Sequence, residues 1–223
     1  MVALLLLFLT IPVAVFTKDV KCPDGFLHFK RTPTAKNNHT KDWCMKVSVY
    51  ENVGNRDNAR SVCLDDNATL TIPENREEYE AISAYIRKAN ISEPHAIDGQ
   101  MSQRCKLKIF RHQLLRLKIN TTAWPGDCNI KKKLFSFDDA NTDTTFALSQ
   151  FANSIPNGQG YFQHNSDPQL FWVDECMKMI STTDTGNRTA IKFADVSWCM
   201  GAGADESDKS KFINSVLCGR RPL

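Results

Sequence analysis

The eight cysteines are the residues of this 223-residue chain whose type and spacing could carry the most chemistry. No two of them form a Cys-x-x-Cys pair, and no histidine lies at zinc-ligand spacing from any of them, which disfavours a metal cluster. In an oxidising compartment an even number of cysteines predicts disulfides instead. Eight cysteines allow on the order of a hundred pairings, so spacing alone leaves the pairing open. The positions are Cys22, Cys44, Cys63, Cys105, Cys128, Cys176, Cys199 and Cys218.

The first residues of the chain predict the compartment. Residues 1–16 carry no charge and the first charged side chain is Lys18, which is typical of a secretory signal peptide. The run is shorter than the ~20 apolar residues that a bilayer-spanning helix needs, which disfavours the alternative interpretation, an uncleaved membrane anchor. We predict a signal peptide at residues 1–17, no transmembrane anchor, and secretion to the extracellular space.

Asparagine sequons agree with secretion. The pattern Asn-x-Ser/Thr accepts an N-glycan when the middle residue is not proline, and a bulky glycan requires a solvated surface. The chain has five such sites, which we predict to be exposed and glycosylated. They are Asn38, Asn67, Asn90, Asn120 and Asn187.

Catalytic patterns are missing from the sequence. It contains no Gly-x-Ser-x-Gly, His-Glu-x-x-His, phosphate-binding loop or dinucleotide fingerprint. The adjacent acids Asp138 and Asp139 could in principle act as a glycosidase pair, but neighbouring residues on a strand point to opposite faces. Cysteines that are all bridged leave no thiol nucleophile. We therefore predict that the protein is not an enzyme.

A strongly basic segment, residues 104–133, is hidden in the overall net charge of +3. Nine cations stand there against one acid, Asp127, so the segment carries +8 and the rest of the chain −5. The balance of +3 does not predict a nucleic-acid partner. The segment is either a surface for a sulfated polyanion, an acidic protein or anionic lipid, or a solvated excursion whose apolar residues pack back on the domain. Its cations are Arg104, Lys106, Lys108, Arg111, Arg116, Lys118, Lys131, Lys132 and Lys133.

Two helices are predicted in the first half of the chain. Residues 56–64 have helical character, and Asn75 is a good N-cap for a second helix, with Glu78 at the capping-box position. Tyr79, Ile82 and Ile86 form its apolar stripe.

Short strands are predicted around these helices. An alternating strand follows Cys44, with Met45, Val47 and Val49 on one face. Further strand-like segments are 134–137, 170–173, 190–193 and 212–218. Helices early and strands late predict an α+β fold. No repeat or Gly/Ser/Pro-rich linker divides the chain, so we predict one domain over residues 20–223, with its core at 22–218 and a basic insert at 104–133.

Several segments, in the same order along the chain, are similar to the C-type lectin-like domain of secreted nematode proteins. The match extends from Cys22 to Cys218, and it implies two helices, antiparallel sheets and a long-loop region stapled by disulfides. The matching segments are Cys22-Pro-Asp-Gly-Phe, Ala59-Arg60-Ser61-Val62-Cys63 with Ala68-Thr69-Leu70, Glu74-Asn75-Arg76-Glu77-Glu78, Ile97-Asp98-Gly99-Gln100, Asp174-Glu175-Cys176, Phe193-Ala194-Asp195 with Cys199, and Val216-Leu217-Cys218.

The resemblance implies the pairings that spacing leaves open. Cys63–Cys218 would join the first helix to the last strand, and Cys176–Cys199 would staple the long-loop region. Cys22–Cys44 would close the N-terminal hairpin, and Cys105–Cys128 fits an extra bridge found after Ile-Asp-Gly in the nematode members.

The resemblance also implies where a sugar would bind. Sugar-binding members hold one Ca²⁺ with a Glu/Gln-Pro-Asn/Asp loop, a later acid and a Trp-Asn-Asp triplet. Here Asn157, Asp174 and Asp195 keep ligand chemistry, whereas Ile155 and Ala194 stand at two of the ligand positions. Because Ca²⁺ takes six to eight oxygen ligands, we predict a degenerate site and no cofactor, with weak calcium binding as the alternative.

The register of the proline-containing loop stays open at this point. Ile155-Pro156-Asn157 matches the motif, but nineteen residues separate Asn157 from Cys176, and Asp167-Pro168-Gln169 lies closer. The predicted function is recognition of a glycan or an extracellular protein through the long-loop face, without a need for calcium. The alternative is a protein- or polyanion-binding module that acts through the basic insert.

Overall fold

The structure is a computed structural model that describes eleven stretches of the chain. For residues 160–162, 171–173 and 192–196 the description covers the backbone. The predicted signal peptide and most of the basic insert lie outside these stretches. The described residues are 20–51, 53–92, 94–105, 107–108, 126–129, 134–150, 160–162, 171–173, 176–180, 192–196 and 213–223.

The two predicted helices are confirmed. Helix α1 spans Arg56–Asp65 and helix α2 spans Arg76–Lys88, and an asparagine caps each N-terminus. Asn75 Oδ1 accepts a hydrogen bond from Glu78 N at 3.0 Å, as its predicted N-cap role requires. A third, short helix, α3 (Thr145–Ser149), was not predicted. None of the helices in the described stretches is long and apolar enough to cross a bilayer.

The capping box predicted for α2 is wrong in one half. The carboxylate of Glu78 accepts from the backbone N of Glu74 at 2.7 Å rather than from Asn75. Its two oxygens also accept from Nε and Nη2 of Arg31 at 2.6 and 2.8 Å. A buried guanidinium from a distant loop therefore takes the acceptor that the local pattern assigned to the helix cap.

One eight-stranded sheet holds the fold together, in the order β1-β2-β10-β4-β8-β9, with β3 added to β10 and β5 to β4. Strands β6 and β7 form a separate two-stranded sheet. The described pairs are antiparallel as predicted, apart from β10–β4, which is parallel and makes the large sheet mixed. The strands are β1 (Leu27–Lys30), β2 (Asp42–Val49), β3 (Thr69–Leu70), β4 (His95–Met101), β5 (Phe135–Ser136), β6 (Gly160–Phe162), β7 (Phe171–Val173), β8 (Cys176–Ile180), β9 (Lys192–Val196) and β10 (Ser215–Arg220).

Two hydrophobic clusters form the core. The larger contains the predicted stripe of α2, with Tyr79 and Ile82 fully buried, and the smaller contains the buried face of α1 around Cys63. Neighbouring residues of β10 divide between them, since Leu217 belongs to the larger cluster and Val216 to the smaller. That division follows from the alternation of side chains along a strand, so the helices pack against opposite faces of the sheet.

The alternating strand after Cys44 is only partly as predicted. Met45 and Val47 are buried, at 0% and 6% exposure, whereas Val49 is 65% exposed at the end of β2. The burial of a strand position depends on what covers it, which the alternation itself does not specify.

Three described disulfides join the pairs that the resemblance implies. They are Cys22–Cys44, Cys63–Cys218 and Cys105–Cys128, with Cα–Cα distances of 5.6, 5.2 and 5.4 Å. Cys176 is disulfide-bonded as well. Its expected partner Cys199 lies outside the described residues, so that pairing stays a prediction.

Candidate functional site

A buried carboxylate, Asp98, accepts several hydrogen bonds in the middle of β4. Strand β4 pairs with β8, which in turn pairs with β9, the strand that carries the candidate ligand residue Asp195. Asp98 has no exposed surface and accepts a hydrogen bond from Arg56 Nη2 at 2.6 Å. It also accepts from the backbone N of Gly99, Asp138 and Asp139 at 2.7 to 2.8 Å. Burial raises the pKa of Asp98, while the Arg56 charge and the N–H donors act in the opposite direction.

The next residue, Gly99, sets the distance between β4 and β8. Its φ is +121°, and a side-chain carbon there would overlap the sulfur of Met177 and lie 3.0 Å from Cε1 of Phe137. The pairing of β4 with β8 is irregular here, shifting between Ala96 and Gln100. The Asp98-Gly99 pair, which sequence analysis treated only as part of a motif, therefore positions β8 against the core.

Strand β8 in turn positions one of the three candidate ligand residues. The backbone of Asp195 lies opposite Met177 in the β8–β9 ladder, next to the pair Cys176 and Val196. Asp195 thus lies on an edge strand of the large sheet. The other two candidates, Asn157 and Asp174, lie outside the described residues.

The small sheet flanks those two candidates in sequence. In the β6–β7 ladder Gly160 is the partner of Val173, and Phe162 is the partner of Phe171. Asp174 follows Val173 directly, and Asn157 precedes Gly160 by three residues. The ladder therefore folds back the long stretch of chain that separates the two candidates.

Asp138 and Asp139, the acidic pair considered for catalysis, make hydrogen bonds that hold the fold together. Asp138 and Asp139 follow the end of β5 at Ser136, so placing them on a strand is wrong. Asp138 accepts from Arg60 Nε at 2.7 Å and Nη2 at 3.0 Å. Hydrogen bonding from Arg60 holds the pKa of Asp138 below its ordinary value, and the same pairing raises the pKa of Arg60.

Asp139 belongs to a second, buried polar network. One of its carboxylate oxygens accepts from the hydroxyls of Thr71 and Thr142, each at 2.5 Å. The Thr142 hydroxyl also accepts from Arg31 Nη1 at 2.9 Å. Nearby Glu74 accepts from Asn37 Nδ2 at 3.0 Å, and its burial raises its pKa. These side chains connect the turn after β5 to the loops that follow β1 and β3.

Within the described part of the chain, no three His, Cys, Asp or Glu residues are grouped so that they could hold a metal ion. Of the three candidate ligands, the described backbone includes Asp195 alone.

The described residues of the basic insert are those near Cys105 and Cys128, whose disulfide joins the insert to the core. Cys105 and Cys128 are 1% and 4% exposed, and their disulfide ties the insert to the larger core cluster. Arg104 Nη1 lies 3.1 Å from Asp127 Oδ2, with the arginine side chain 79% exposed. Lys108 is half-buried. The remaining cations lie outside the described residues: Lys106, Arg111, Arg116, Lys118, Lys131, Lys132 and Lys133.

Three of the five sequon asparagines fall on described residues. Asn38, Asn67 and Asn90 are exposed, and their φ angles are 51°, 50° and 53°. Each lies just after a helical segment, where an asparagine tolerates the left-handed backbone that ends a helix. Asn120 and Asn187 lie outside the described residues.

A groove of about 380 Å³ lies where the first and last described residues meet. The sequence did not predict it, because its lining comes from both ends of the chain. The lining residues are Val20, His39, Thr40, Lys41, Asp42, Arg221, Pro222 and Leu223.

Comparison with known sequences identifies a family and a relative. The sequence profile described as C-type lectin domain-containing protein 141/158 matches residues 28–221. The Caenorhabditis elegans C-type lectin domain-containing protein 158 is 29% identical over 171 residues, which is 75% of this chain and 74% of the relative.

Solved structures with a similar course of the chain have low sequence identity. SPL-1 in complex with GlcNAc covers 89% of this chain and 94% of its own, at 13% identity and a TM-score of 0.43. A calcium-independent type II antifreeze protein covers 93% and 99%, at 13% identity and a TM-score of 0.42. The carbohydrate-recognition domain of the human scavenger receptor C-type lectin covers 90% and 99%, at 15% identity and a TM-score of 0.41.

Proposed function

The chain belongs to the C-type lectin domain family, and on that premise we propose that it is a secreted module that recognises a carbohydrate or a protein with the residues around Asn157, Asp174 and Asp195. Recognition of a glycan or protein ligand is what membership of this family implies. The position of the site and its independence of calcium are the parts that need support from the geometry.

The β6–β7 ladder is the observation that carries this proposal. The spacing of nineteen residues between Asn157 and Cys176 looks too long for one compact site. However, the ladder pairs Gly160 with Val173, so most of that spacing is a strand pair that returns to its starting end. In sequence, Asp174 directly follows Val173 and Asn157 is three residues before Gly160, and consecutive Cα atoms are about 3.8 Å apart, which limits how far each can lie from that end of the ladder.

The same ladder favours one of the two loop registers. Pro168 belongs to residues 163–170, which connect the far ends of β6 and β7 beyond Phe162 and Phe171. In sequence, Asp167 and Gln169 belong to that connection, whereas Asp174 directly follows Val173 at the other end of β7. The register through Pro156 is therefore the one that we propose.

Asp195 completes the proposed site from the large sheet. Its ladder partner Met177 is the residue after Cys176, and Asp174 lies two residues before Cys176. Both acids are therefore connected to the start of β8, Asp195 through the ladder and Asp174 along the chain. Gly99 supports this arrangement, because the absence of a side chain there lets Met177 pack against β4.

The composition of the proposed site supports calcium independence. Ca²⁺ takes six to eight oxygen ligands, and the apolar side chains of Ile155 and Ala194 supply none. Amide and carboxylate groups without a cation bind sugar hydroxyls or protein N–H groups through hydrogen bonds. We expect this type of recognition rather than coordination of a sugar by a bound ion.

A glycan array, run with the intact protein in calcium and in a chelator, tests the proposal. We expect the same glycans to bind in both conditions, and N157A, D174A and D195A each to weaken binding at least about tenfold, the loss of one good hydrogen bond to a charged group. D57N, at an acid whose side chain is 87% exposed on α1, is the matched control. Binding that requires calcium would exclude calcium independence, and binding unchanged in all three variants would exclude the site.

The second candidate function uses the basic insert. It is favoured by the charge of the insert, which has nine cations against one acid, and by the contact that this acid, Asp127, makes with Arg104. Leu107 is 53% exposed at its start, which suits a surface for a sulfated polyanion or an acidic protein. Elution from heparin well above physiological salt, lowered by a triple K131Q/K132Q/K133Q variant, would support it. Elution near physiological salt would exclude it.

Secretion as one glycosylated domain is part of the same proposal. Three disulfides support an oxidising compartment, and three exposed sequon asparagines support glycosylation. Strand β10 from the end of the chain lies between β2 and β4, which supports a single domain over residues 20–223. Expression in secretory cells should yield protein in the medium that starts near residue 18. Retention of residues 1–17 in that protein would exclude the predicted signal peptide.

A further inference from the structure

The sequon at Asn38 is closed by contacts with a distant residue. The Asn38 side-chain nitrogen, which would carry the glycan, donates to Asn141 Oδ1 at 3.3 Å. The hydroxyl of Thr40, the third residue of the sequon, donates to the same oxygen at 3.4 Å. Thr40 is only 4% exposed. Both groups that define the sequon are therefore engaged with one side chain.

The backbone of this sequon is fixed as well. Asn38 and His39 both have left-handed φ angles, 51° and 55°. His39 N donates to Thr34 O at 2.8 Å, and Thr40 N donates to Asn37 O at 3.0 Å. Asn90 has a similar φ of 53°, so the feature that sets the Asn38 sequon apart is the contact of both its side chains with Asn141, which an enzyme would have to break first.

Arg221 makes a third contact with the side chain of Asn141. Arg221 Nη2 donates to Asn141 Oδ1 at 3.0 Å, so the oxygen that holds Asn38 and Thr40 is also held by the segment after β10. Asn141 itself sits in the turn whose neighbour Thr142 is bound to buried Arg31. Opening the sequon therefore disturbs contacts between both ends of the fold.

The sequon at Asn90 is a contrasting case in the same chain. Asn90 and Ser92 are both exposed, and neither makes a side-chain hydrogen bond to any residue of the described stretches. The asparagine follows the end of α2, with Asn90 N donating to Arg87 O at 3.1 Å. Its amide and the Ser92 hydroxyl are open to an enzyme in the folded protein.

We propose that Asn38 is a glycosylation site available only before the chain folds, whereas Asn90 remains available afterwards. In the transfer, the asparagine amide nitrogen forms a bond to the anomeric carbon of a phosphate-activated sugar. The bond from that carbon to the phosphate oxygen breaks, and the amide loses one proton. One N–H stays on the nitrogen, so glycosylated Asn38 retains a donor for Asn141.

The order in which the chain is synthesised allows Asn38 to be glycosylated before the protein folds. Asn141 lies 103 residues after Asn38, and Arg221 lies near the end of the sequence. The chain emerges N-terminus first, so the Asn38 sequon is exposed before the residues that close it exist. The inference rests on the proposed use of sequons and not on the identity of the ligand.

The test compares the two sites in one molecule. Unglycosylated, disulfide-bonded protein is treated with a soluble asparagine glucosyltransferase and UDP-glucose, and each site is followed by mass spectrometry of its peptide. In the folded protein we expect Asn90 to be modified at least about tenfold faster than Asn38, because Asn38 must wait for local opening. In the reduced, urea-unfolded chain the two rates should agree within a few-fold.

A variant isolates the cause. N141A removes the shared acceptor oxygen and should raise the Asn38 rate in the folded protein without changing the Asn90 rate. Equal rates at the two sites in the folded wild type, or no reaction at Asn90, would overturn the proposal. So would an Asn38 that stays unmodified in the unfolded chain. None of these outcomes depends on secretion or on ligand binding, so they are separate from a failure of the proposed function.

Discussion

Nη2 of Arg56 lies 2.6 Å from Oδ1 of Asp98, and this salt bridge joins the first turn of α1 to the middle of β4. The two side chains are 3% and 0% exposed, so water does not compete for the contact. Nε and Nη1 of Arg56 have no hydrogen-bond partner among the described residues. The guanidinium charge therefore depends on Asp98, with Asp138 as a second, more exposed partner at 2.9 Å.

D98N should strongly destabilise the protein. The substitution leaves the Arg56 charge buried without its nearest counter-charge, which costs about 3–5 kcal/mol when one partner of a buried pair is removed. Urea unfolding measures the change in the free energy of unfolding. D57N removes the exposed partner of Arg60 and should cost under about 1 kcal/mol. Equal losses in the two variants would contradict this prediction.

G99A should destabilise the protein more than G126A. Both glycines have a positive φ, +121° and +77°, which an alanine adopts only with strain. At Gly99 the added carbon also overlaps Met177, whereas at Gly126 no atom of the described residues lies within 4 Å of it. Strain and overpacking together should cost about 2–4 kcal/mol at Gly99 and about 1 kcal/mol at Gly126. Thermal unfolding of the two variants side by side measures the difference.

The contribution of Asp138 to stability should disappear in acid. Hydrogen bonding from Arg60 lowers its pKa below the ordinary value of 3.8, so the ionised form stabilises the folded state. That stabilisation is present above pH 3.8 and is lost as the pH falls through the lower, folded-state pKa. D138N should therefore be less stable than the wild type at neutral pH, and the gap should narrow in acid. A gap that stays constant from pH about 6 to about 2 would be inconsistent with this linkage.

Glu74 should show the opposite dependence. Burial raises its pKa above 4.5, so its contribution is greatest below that value and declines as the pH rises through the folded-state pKa. The stability of the wild type relative to E74Q should accordingly fall on going from acid to neutral pH. Chemical denaturation of both proteins over the same pH series measures it, and a rise with pH would contradict the prediction.

The disulfide that closes the longer loop should contribute more to stability, by an amount that grows with the logarithm of the loop length. Cys63–Cys218 spans 155 residues and Cys22–Cys44 spans 22. In the chain-entropy account these loops correspond to about 5 and about 3 kcal/mol. Removing the long bridge with paired serines should lower the free energy of unfolding more than removing the short one. Full retention of the melting transition in strong reductant would contradict both values.

Local sequence was sufficient to predict helices α1 and α2. The N-cap of α2 depends on Asn75 and Glu78, three residues apart, so its signal is complete within one turn. The other half of the predicted capping box, in which the Glu78 carboxylate accepts from the backbone N of Asn75, is wrong because Arg31, 47 residues away, binds that carboxylate. The exposure of Val49 was missed for a related reason: what covers a strand end is set by elements distant in sequence.

The candidate site divides in the same way. The residue types at positions 155, 157, 174, 194 and 195 were enough to indicate a degenerate calcium motif. The separation of Asn157 from Cys176 could not be interpreted from spacing, because strands pair across any length of intervening chain. Only the register of Gly160 with Val173 indicates that the separation is folded back on itself.

The sequence by itself determined the helix starts, the order of the family motifs and the charge of the insert, because each depends on residues that are neighbours along the chain. The tertiary structure decided which polar groups are already committed. Asp138 is held by Arg60, Asp139 by Thr71, and the Asn38 sequon by Asn141, in each case across a long sequence separation. The partners of these groups are distant in sequence, so folding alone brings them together.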